Sequence, residues 1–269
     1  MPRRHPIRIE PGKRFSLDRV DPDDTGPFRN KAAAQARLTK DLERLPELQY
    51  LLYADGRRAV LVVLQAIDTG GKDGVIRHVM SGLNPAGCSV TSFKVPSAEE
   101  RAHDFLWRIH RAVPAHGTIG VFNRSQYEDV LVVRVHKLVP DPVWKARYAQ
   151  INEFERVLTA NGVSILKILL HISREEQAKR LRARIEDPAK NWKFSLQDLE
   201  ERRAWKAYME AFEDAINECG TPWAPWHVVP ANHKWYRDAV VARLLREHLE
   251  SLALEYPKSA VDFSKIVIR

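Results

Sequence analysis

Three stretches of the 269-residue chain carry side chains whose types and spacing suit chemistry on phosphate. The first runs Gln65-Ala-Ile-Asp68-Thr69-Gly70-Gly71-Lys72-Asp73-Gly74. Glycines let a backbone curl until several N–H groups converge on one anion. A helix starting there adds the positive end of its dipole, and Lys72 adds a point charge. Thr69, Gly70, Gly71, Lys72 and Asp73 are therefore the phosphate-binding candidates. The fit to the pattern G-x-x-x-x-G-K-S/T is partial: Gly71-Lys72 match, but Ala66 stands at the first glycine and Asp73 at the hydroxyl that usually serves Mg²⁺. A carboxylate beside phosphates repels them unless a cation sits between, which makes Asp68 the candidate Mg²⁺ ligand. The competing reading is an ordinary glycine-rich turn from strand to helix.

The second stretch is Asn123-Arg124-Ser125-Gln126-Tyr127-Glu128-Asp129, directly after an apolar run at 118–122. Ligands of open α/β sheets bind at the carboxyl ends of strands. Arg124 can clamp a phosphate with two parallel N–H bonds, and Glu128 or Asp129 can serve a metal directly or through water. The competing reading has Asn123 capping the next helix, with the two acids enriching its first turn. The third stretch, 174–193, is basic: Lys179, Arg180, Arg182 and Arg184 on a helical pattern, then Lys190 and Lys193 after Pro188. Arg180 and Arg184 share a helix face. A mobile helix and loop bearing cations can close over phosphates as a kinase lid does; a solvated basic face offset by Glu175, Glu176 and Glu186 would look the same.

These stretches need elements to position them. The run at 59–64 is continuously apolar and rich in β-branched residues, as a strand buried on both faces requires, and 88–95, 118–122, 163–170 and 227–229 read similarly. Between them lie helical patterns at 74–83, 142–161 and 232–254, and at 30–53 with a break or bend near Pro46 and a stop at Gly56. Ser97/Glu100, Ser173/Glu176 and Ser195/Asp198 have capping-box spacing. Five short strands alternating with helices predict a parallel sheet covered on both faces. Residues 1–29 read as an arm, a solvated terminus unless its basic start touches an anionic ligand, and 256–269 as a tail, around one domain at 30–255 with its lid at about 174–195.

Composition sets the frame. Apolar residues make up 44% and charged residues 29%, an ordinary globular balance that excludes wholesale disorder. Lys and Arg number 43 against 35 Asp and Glu, a net +8 that favours an anionic partner. Two distant cysteines and ten histidines without ligand spacing give neither a disulfide framework nor a zinc module. The thiols fit a reducing cytoplasm. The basic, apolar-poor start is unlike a signal peptide, and no apolar run is long enough to span a bilayer.

Asp68-Thr-Gly-Gly-Lys72-Asp73-Gly, Phe122-Asn-Arg124-Ser-Gln-Tyr127-Glu-Asp129 and Asp187-Pro-Ala-Lys190-Asn-Trp192-Lys193, in that order, resemble the motifs of the polyphosphate kinase 2 family. The resemblance covers about 30–255. It implies a P-loop kinase fold similar to thymidylate kinase: three layers, a five-stranded parallel sheet between helices, and a helical lid. It implies reversible phosphate transfer between inorganic polyphosphate and AMP or ADP with Mg²⁺, which Mn²⁺ can replace. Carried over residue by residue, Asp68, Lys72 and Arg124 are the catalytic candidates. Arg180, Arg184, Lys190 and Lys193 are the lid cations, and Asn123, Tyr127, Glu128 and Asp129 are the nucleotide-binding candidates. The form around Arg124 looks like the subgroup accepting nucleoside mono- and diphosphates. Other members carry Asp where Asn123 stands and Asn where Glu128 stands, which shifts metal binding towards Asp68 and acceptor choice towards Glu128. The resemblance also implies a dimer or tetramer. No membrane is expected, and with neither an aromatic-basic RNA motif nor a helix-turn-helix signal in the sequence no nucleic-acid partner is expected either. The alternative on the same fold is an ATP-dependent nucleoside or nucleotide kinase.

Overall fold

In the computed structural model, residues 7–262 and 266–268 are described. The first strand, β1 (Ile7–Arg8), precedes helix α1 (Lys31–Asp55). Strand β2 (Ala59–Gln65) leads through the glycine turn into α2 (Lys72–Val79), and β3 (Cys88–Ser92) precedes the short helices α3 (Ala98–Arg101) and α4 (Trp107–Arg111). Strand β4 (Ile119–Asn123) precedes α5 (Val132–Val135) and α6 (Asp141–Ala160). Strand β5 (Val163–His171) feeds α7 (Arg174–Glu186), α8 (Gln197–Arg203) and α9 (Trp205–Cys219), and β6 (Trp226–Pro230) leads into α10 (Lys234–Ser251).

The sheet order is β1-β6-β5-β2-β4-β3, with β2 to β6 parallel and β1 antiparallel at the edge. All seven residues of β2 are buried, the mark of a central strand covered on both faces. The five predicted strands all form. Strand β3 lies at the other edge and is largely exposed, so its apolar character does not report two-sided burial.

Three local expectations are corrected. Helix α1 runs unbroken through Pro46: Leu45, Leu48 and Leu52 bury on one side of it, and the Asp41–Arg246 ion pair (2.6 Å) and the Gln49–Asn84 bonds hold it to α10 and to the loop before β3. These tertiary contacts outweigh one missing helical bond. Ser195 does not cap a helix, because α8 starts two residues later; Asp198 accepts from the Ser195 amide instead. The arm is not a solvated segment. Ile9, Leu17 and Val20 are buried, the Leu17 amide donates to Glu213, and the Pro22 carbonyl accepts from the Asn232 amide. The basic residues at its start lie outside the described residues.

Register positions the site. Leu64 of β2 pairs with Asn123 of β4, and the Arg124 amide donates to the Leu64 carbonyl at 3.2 Å. The two motif loops therefore leave adjacent strands at the same level.

Candidate functional site

The first loop is tightly wound. Thr69 (φ 62°) and Gly71 (φ 106°) are left-handed, and the Gly70 amide closes a turn onto the Ile67 carbonyl at 2.9 Å. A side chain at Gly71 has no room: its Cβ would lie 2.1 Å from Arg237 Nη1. Lys72 opens α2 and turns back beneath the loop, Nζ donating to the Ala66 carbonyl at 2.8 Å with 8% of the residue exposed. Burial holds its ammonium below its ordinary pKa, and Arg124 adds repulsion. An ammonium in that setting gains from an arriving anion. The Thr69 hydroxyl is buried without a hydrogen-bond partner among the described residues.

Arg124, also left-handed (φ 65°), faces this loop. A non-glycine residue with positive φ stores strain and is often found at functional sites. Its Nη2 donates to Asp68 at 2.6 Å, and Glu128 lies 3.7 Å from Nη1. Burial pulls its pKa down, but Glu128 and Asp68 outweigh that and raise it. Glu128 is pushed above the usual carboxylate range by burial, against the pull of Arg124 and Lys72. With the Gln65 amide oriented to accept from Ser125, its nitrogen donates to Glu128 at 3.0 Å. The Asn123 amide donates to Asp73 at 2.8 Å, so Asn123 links the two loops rather than capping a helix. Ser125 caps the turn that follows.

Two nucleotide-binding candidates are corrected. Tyr127 is fully buried in the core: its hydroxyl donates to Glu155 at 2.8 Å and accepts from Lys167 at 2.8 Å. Asp129, 9% exposed, is paired with Arg147 (2.9 Å) and faces Arg108 (3.8 Å), so two arginines already take up its charge. The Tyr127–Glu155–Lys167 network satisfies three buried polar groups at once, the condition for keeping a charge pair in a core.

The lid cations separate into two kinds. Lys190 is exposed and pairs with Asp187, and the Lys193 ammonium lies over the exposed Trp192 ring at 5.0 Å. Arg184 is a strut within the lid, bonded to Asp198 at 3.0 Å. Arg180 is not presented to solvent as a lid cation at all: its donors are taken by Glu176 and by four main-chain carbonyls of the loops around it.

Lys234 and Arg237, at the start of α10, also flank this ground. Arg237 is 2% exposed beneath Gly71 and Gly74 and bonds Asp238. Lys234, lowered by burial and by Arg180 and Arg237, joins the same basic cluster. The signal was their i, i+3 spacing directly after the last strand. Glu201 and Tyr208 of the segment following the lid act electrostatically on Arg124, and His136 bonds both of them. Nothing in the local sequence marks those three.

Among the described residues no three His, Cys, Asp or Glu side chains form a metal cage. Asp68 and Glu128 flank Arg124, and a two-carboxylate site fits Mg²⁺, which keeps waters and takes substrate phosphates as further ligands.

A parallel sheet whose central strand ends in a glycine–lysine turn, with an arginine–carboxylate pair at its mouth, defines an α/β phosphotransferase of the P-loop kinase type. The chain belongs to the polyphosphate kinase 2 family, whose family model it matches over residues 29–257. It is similar to the AMP/ADP-polyphosphate phosphotransferase of Meiothermus ruber, 54% identical over 97% of this chain and 98% of that one. It is similar to the ADP-polyphosphate phosphotransferase of Rhodopseudomonas palustris, 47% identical over 94% and 92%. The crystal structure of polyphosphate kinase 2 from Arthrobacter aurescens superposes with a TM-score of 0.92 at 48% identity, covering 96% of this chain and 92% of that one. No helix among the described residues is long and apolar enough to cross a membrane.

Proposed function

We propose that this chain moves a terminal phosphate of inorganic polyphosphate onto AMP or ADP, reversibly and with Mg²⁺. The observation that carries the reading is the convergence of Lys72, Arg124 and Asp68 at the ends of two hydrogen-bonded strands. Phosphoryl transfer asks mainly for positioning and charge neutralisation, and these residues offer both. The names of the similar phosphotransferases support the choice of donor and acceptors.

Lys72 supplies an ammonium under the loop. Arg124 supplies a planar fork for a phosphate oxygen. Asp68, with Glu128, would hold Mg²⁺, which when bound neutralises phosphate charge. Glu128, beside Arg124, would bear on the choice between AMP and ADP. An acceptor phosphate oxygen is already ionised, so no strong base is needed. Lys190 and Lys193 of the exposed lid loop attract the polyanionic donor.

The test is turnover with polyphosphate and Mg²⁺ in the absence of ATP. AMP should yield ADP and then ATP, and ADP should yield ATP. Product from ADP alone would remove the assignment of Glu128 to monophosphate acceptance. Turnover with ATP as donor and none with polyphosphate would overturn the reading in favour of a conventional nucleotide kinase.

A further inference from the structure

Arg180 lies on α7, in the basic stretch expected to form the lid, yet the protein itself uses its whole guanidinium. Nε donates to Glu176 at 2.8 Å. Nη1 donates to the carbonyls of Thr69 (3.0 Å) and Gly70 (3.1 Å), and Nη2 to those of Ala231 (2.6 Å) and Asn232 (3.1 Å). One planar fork thus ties together the glycine loop, the start of the lid and the connection from β6 to α10. The same junction is fixed from two other sides: Asn232 Oδ1 accepts from the Ser173 amide at 2.9 Å, and the Asn232 amide donates to Pro22 of the arm.

The consequence for the loop follows from peptide geometry. In a trans peptide the C=O of one residue and the N–H of the next point in opposite directions. With the Thr69 and Gly70 carbonyls drawn to Arg180, the N–H groups of Gly70 and Gly71 must point away from α7. The Gly70 N–H is spent on Ile67. The Gly71 N–H, at the N-terminus of α2, has no protein acceptor among the described residues, which leaves it for a ligand. Arg180 also covers two carbonyl oxygens whose partial negative charge would otherwise face a phosphate.

We infer that Arg180 is a positioning residue: it aims the Gly71 N–H and fixes the phosphate loop, and it does not itself bind the phosphate chain. This rests on the reading of that loop as the phosphate site.

A ligand and a brace respond differently to substitution. An ammonium has three donors and no planar fork, so Arg180→Lys keeps the charge and loses the brace. For a brace, Arg180→Lys lowers kcat by about 100-fold, the cost of a misplacement of about 1 Å at a reacting centre. The KM for polyphosphate stays within about threefold of the unaltered enzyme, because Lys72, Arg124, Lys190 and Lys193 still hold the chain and the exact aim of the loop matters most in the transition state. For a ligand, Arg180→Lys keeps most of kcat and raises KM, because an ammonium meets a phosphate without the bidentate fork.

Glu176→Ala provides the second variant should Arg180→Lys fold poorly. It removes the acceptor that orients the guanidinium, and a carboxylate from near the donor. A brace predicts a lower kcat with KM unchanged; a ligand predicts a lower KM for polyphosphate with kcat kept. Any result other than a fall in kcat at constant KM overturns the inference. Lys72→Ala run in parallel separates the two levels. If it keeps normal turnover, the phosphate-loop reading itself falls. If it is inactive while Arg180→Lys turns over normally, only the role of Arg180 falls.

Discussion

Replacing Gly71 by alanine tests the loop most directly, and Gly12 provides the control. Both glycines have positive φ, 106° and 79°, but a Cβ at Gly12 would meet nothing within 4 Å. Gly12→Ala therefore carries only the backbone term, about 1–2 kcal/mol for a left-handed residue. At Gly71 the new Cβ would stand 2.1 Å from Arg237 Nη1, well inside contact distance. The guanidinium must retreat, and it is buried and bonded to Asp238 through Nε (2.8 Å) and Nη2 (2.7 Å). Disturbing those charge-assisted bonds costs about 1.5–3 kcal/mol, giving a total of about 2.5–5 kcal/mol. Gly71→Ala should therefore unfold about 1.5–3 kcal/mol more easily than Gly12→Ala in urea, or roughly 3–12 °C lower on heating. Turnover should fall by about 100-fold if the loop moves by about 1 Å, whereas Gly12→Ala should keep it. Equal stabilities with normal turnover at Gly71 would refute both the steric reasoning and the place of this loop at the reaction centre.

Other outcomes are as definite. Tyr127→Phe removes a hydroxyl from the Glu155–Lys167 network and should cost about 1–3 kcal/mol in urea unfolding; the KM values for AMP and ADP should not move, and a rise in either would return Tyr127 to the acceptor site. Lys190→Glu with Lys193→Glu should raise the KM for polyphosphate far more than that for nucleotide. The slope of log KM against log salt should fall by roughly 0.7 per lost contact if polyphosphate behaves as a single-stranded polyanion; an unchanged slope would clear both lysines. His171, His227 and His248 are held by burial at about 4, below their unfolded 6.5. Each stays neutral in the fold and takes up a proton on unfolding, so stability is lost as pH falls from 6.5 towards 4. Three such groups steepen that loss by up to about 4 kcal/mol per pH unit. Acid unfolding followed by fluorescence should show the slope, and His248→Gln should flatten it by about a third.

The fold was legible where burial is two-sided and continuous. Strand β2 announces itself because every one of its residues is inside, and β5 nearly so. Strand β1 was not legible: two residues have no period, and they form a strand only because β6 offers a free edge. The site was legible where its side chains lie in loops beside their own motif, as with Asp68, Lys72 and Arg124. It was not legible where a turn decides inside from outside. Tyr127 sits among polar neighbours in sequence, yet the turn after Ser125 sends it into the core to partners 28 and 40 residues away. Arg180 misled for the related reason that a basic helix face names a charge, while its partners, the carbonyls of residues 69, 70, 231 and 232, belong to the main chain and leave no mark in residue types.

That distinction orders the cations of the site by what a polyanion can displace. Arg124 is held by Asp68, and Lys190 by Asp187, both through partly exposed carboxylates. Solvent-exposed pairs of this kind contribute little, so an incoming phosphate with its own charge replaces the carboxylate at small cost. Arg180 is held by four carbonyls and one carboxylate, with 8% of its side chain exposed. Pulling it onto a phosphate would strand four main-chain acceptors and release the loop that binds the phosphate. On the proposed function, the exchangeable cations would recruit the donor and the locked one would keep the cradle in shape. A phosphate taking Arg124 would then free the Asp68 carboxylate beside it, where the proposed chemistry needs a cation ligand.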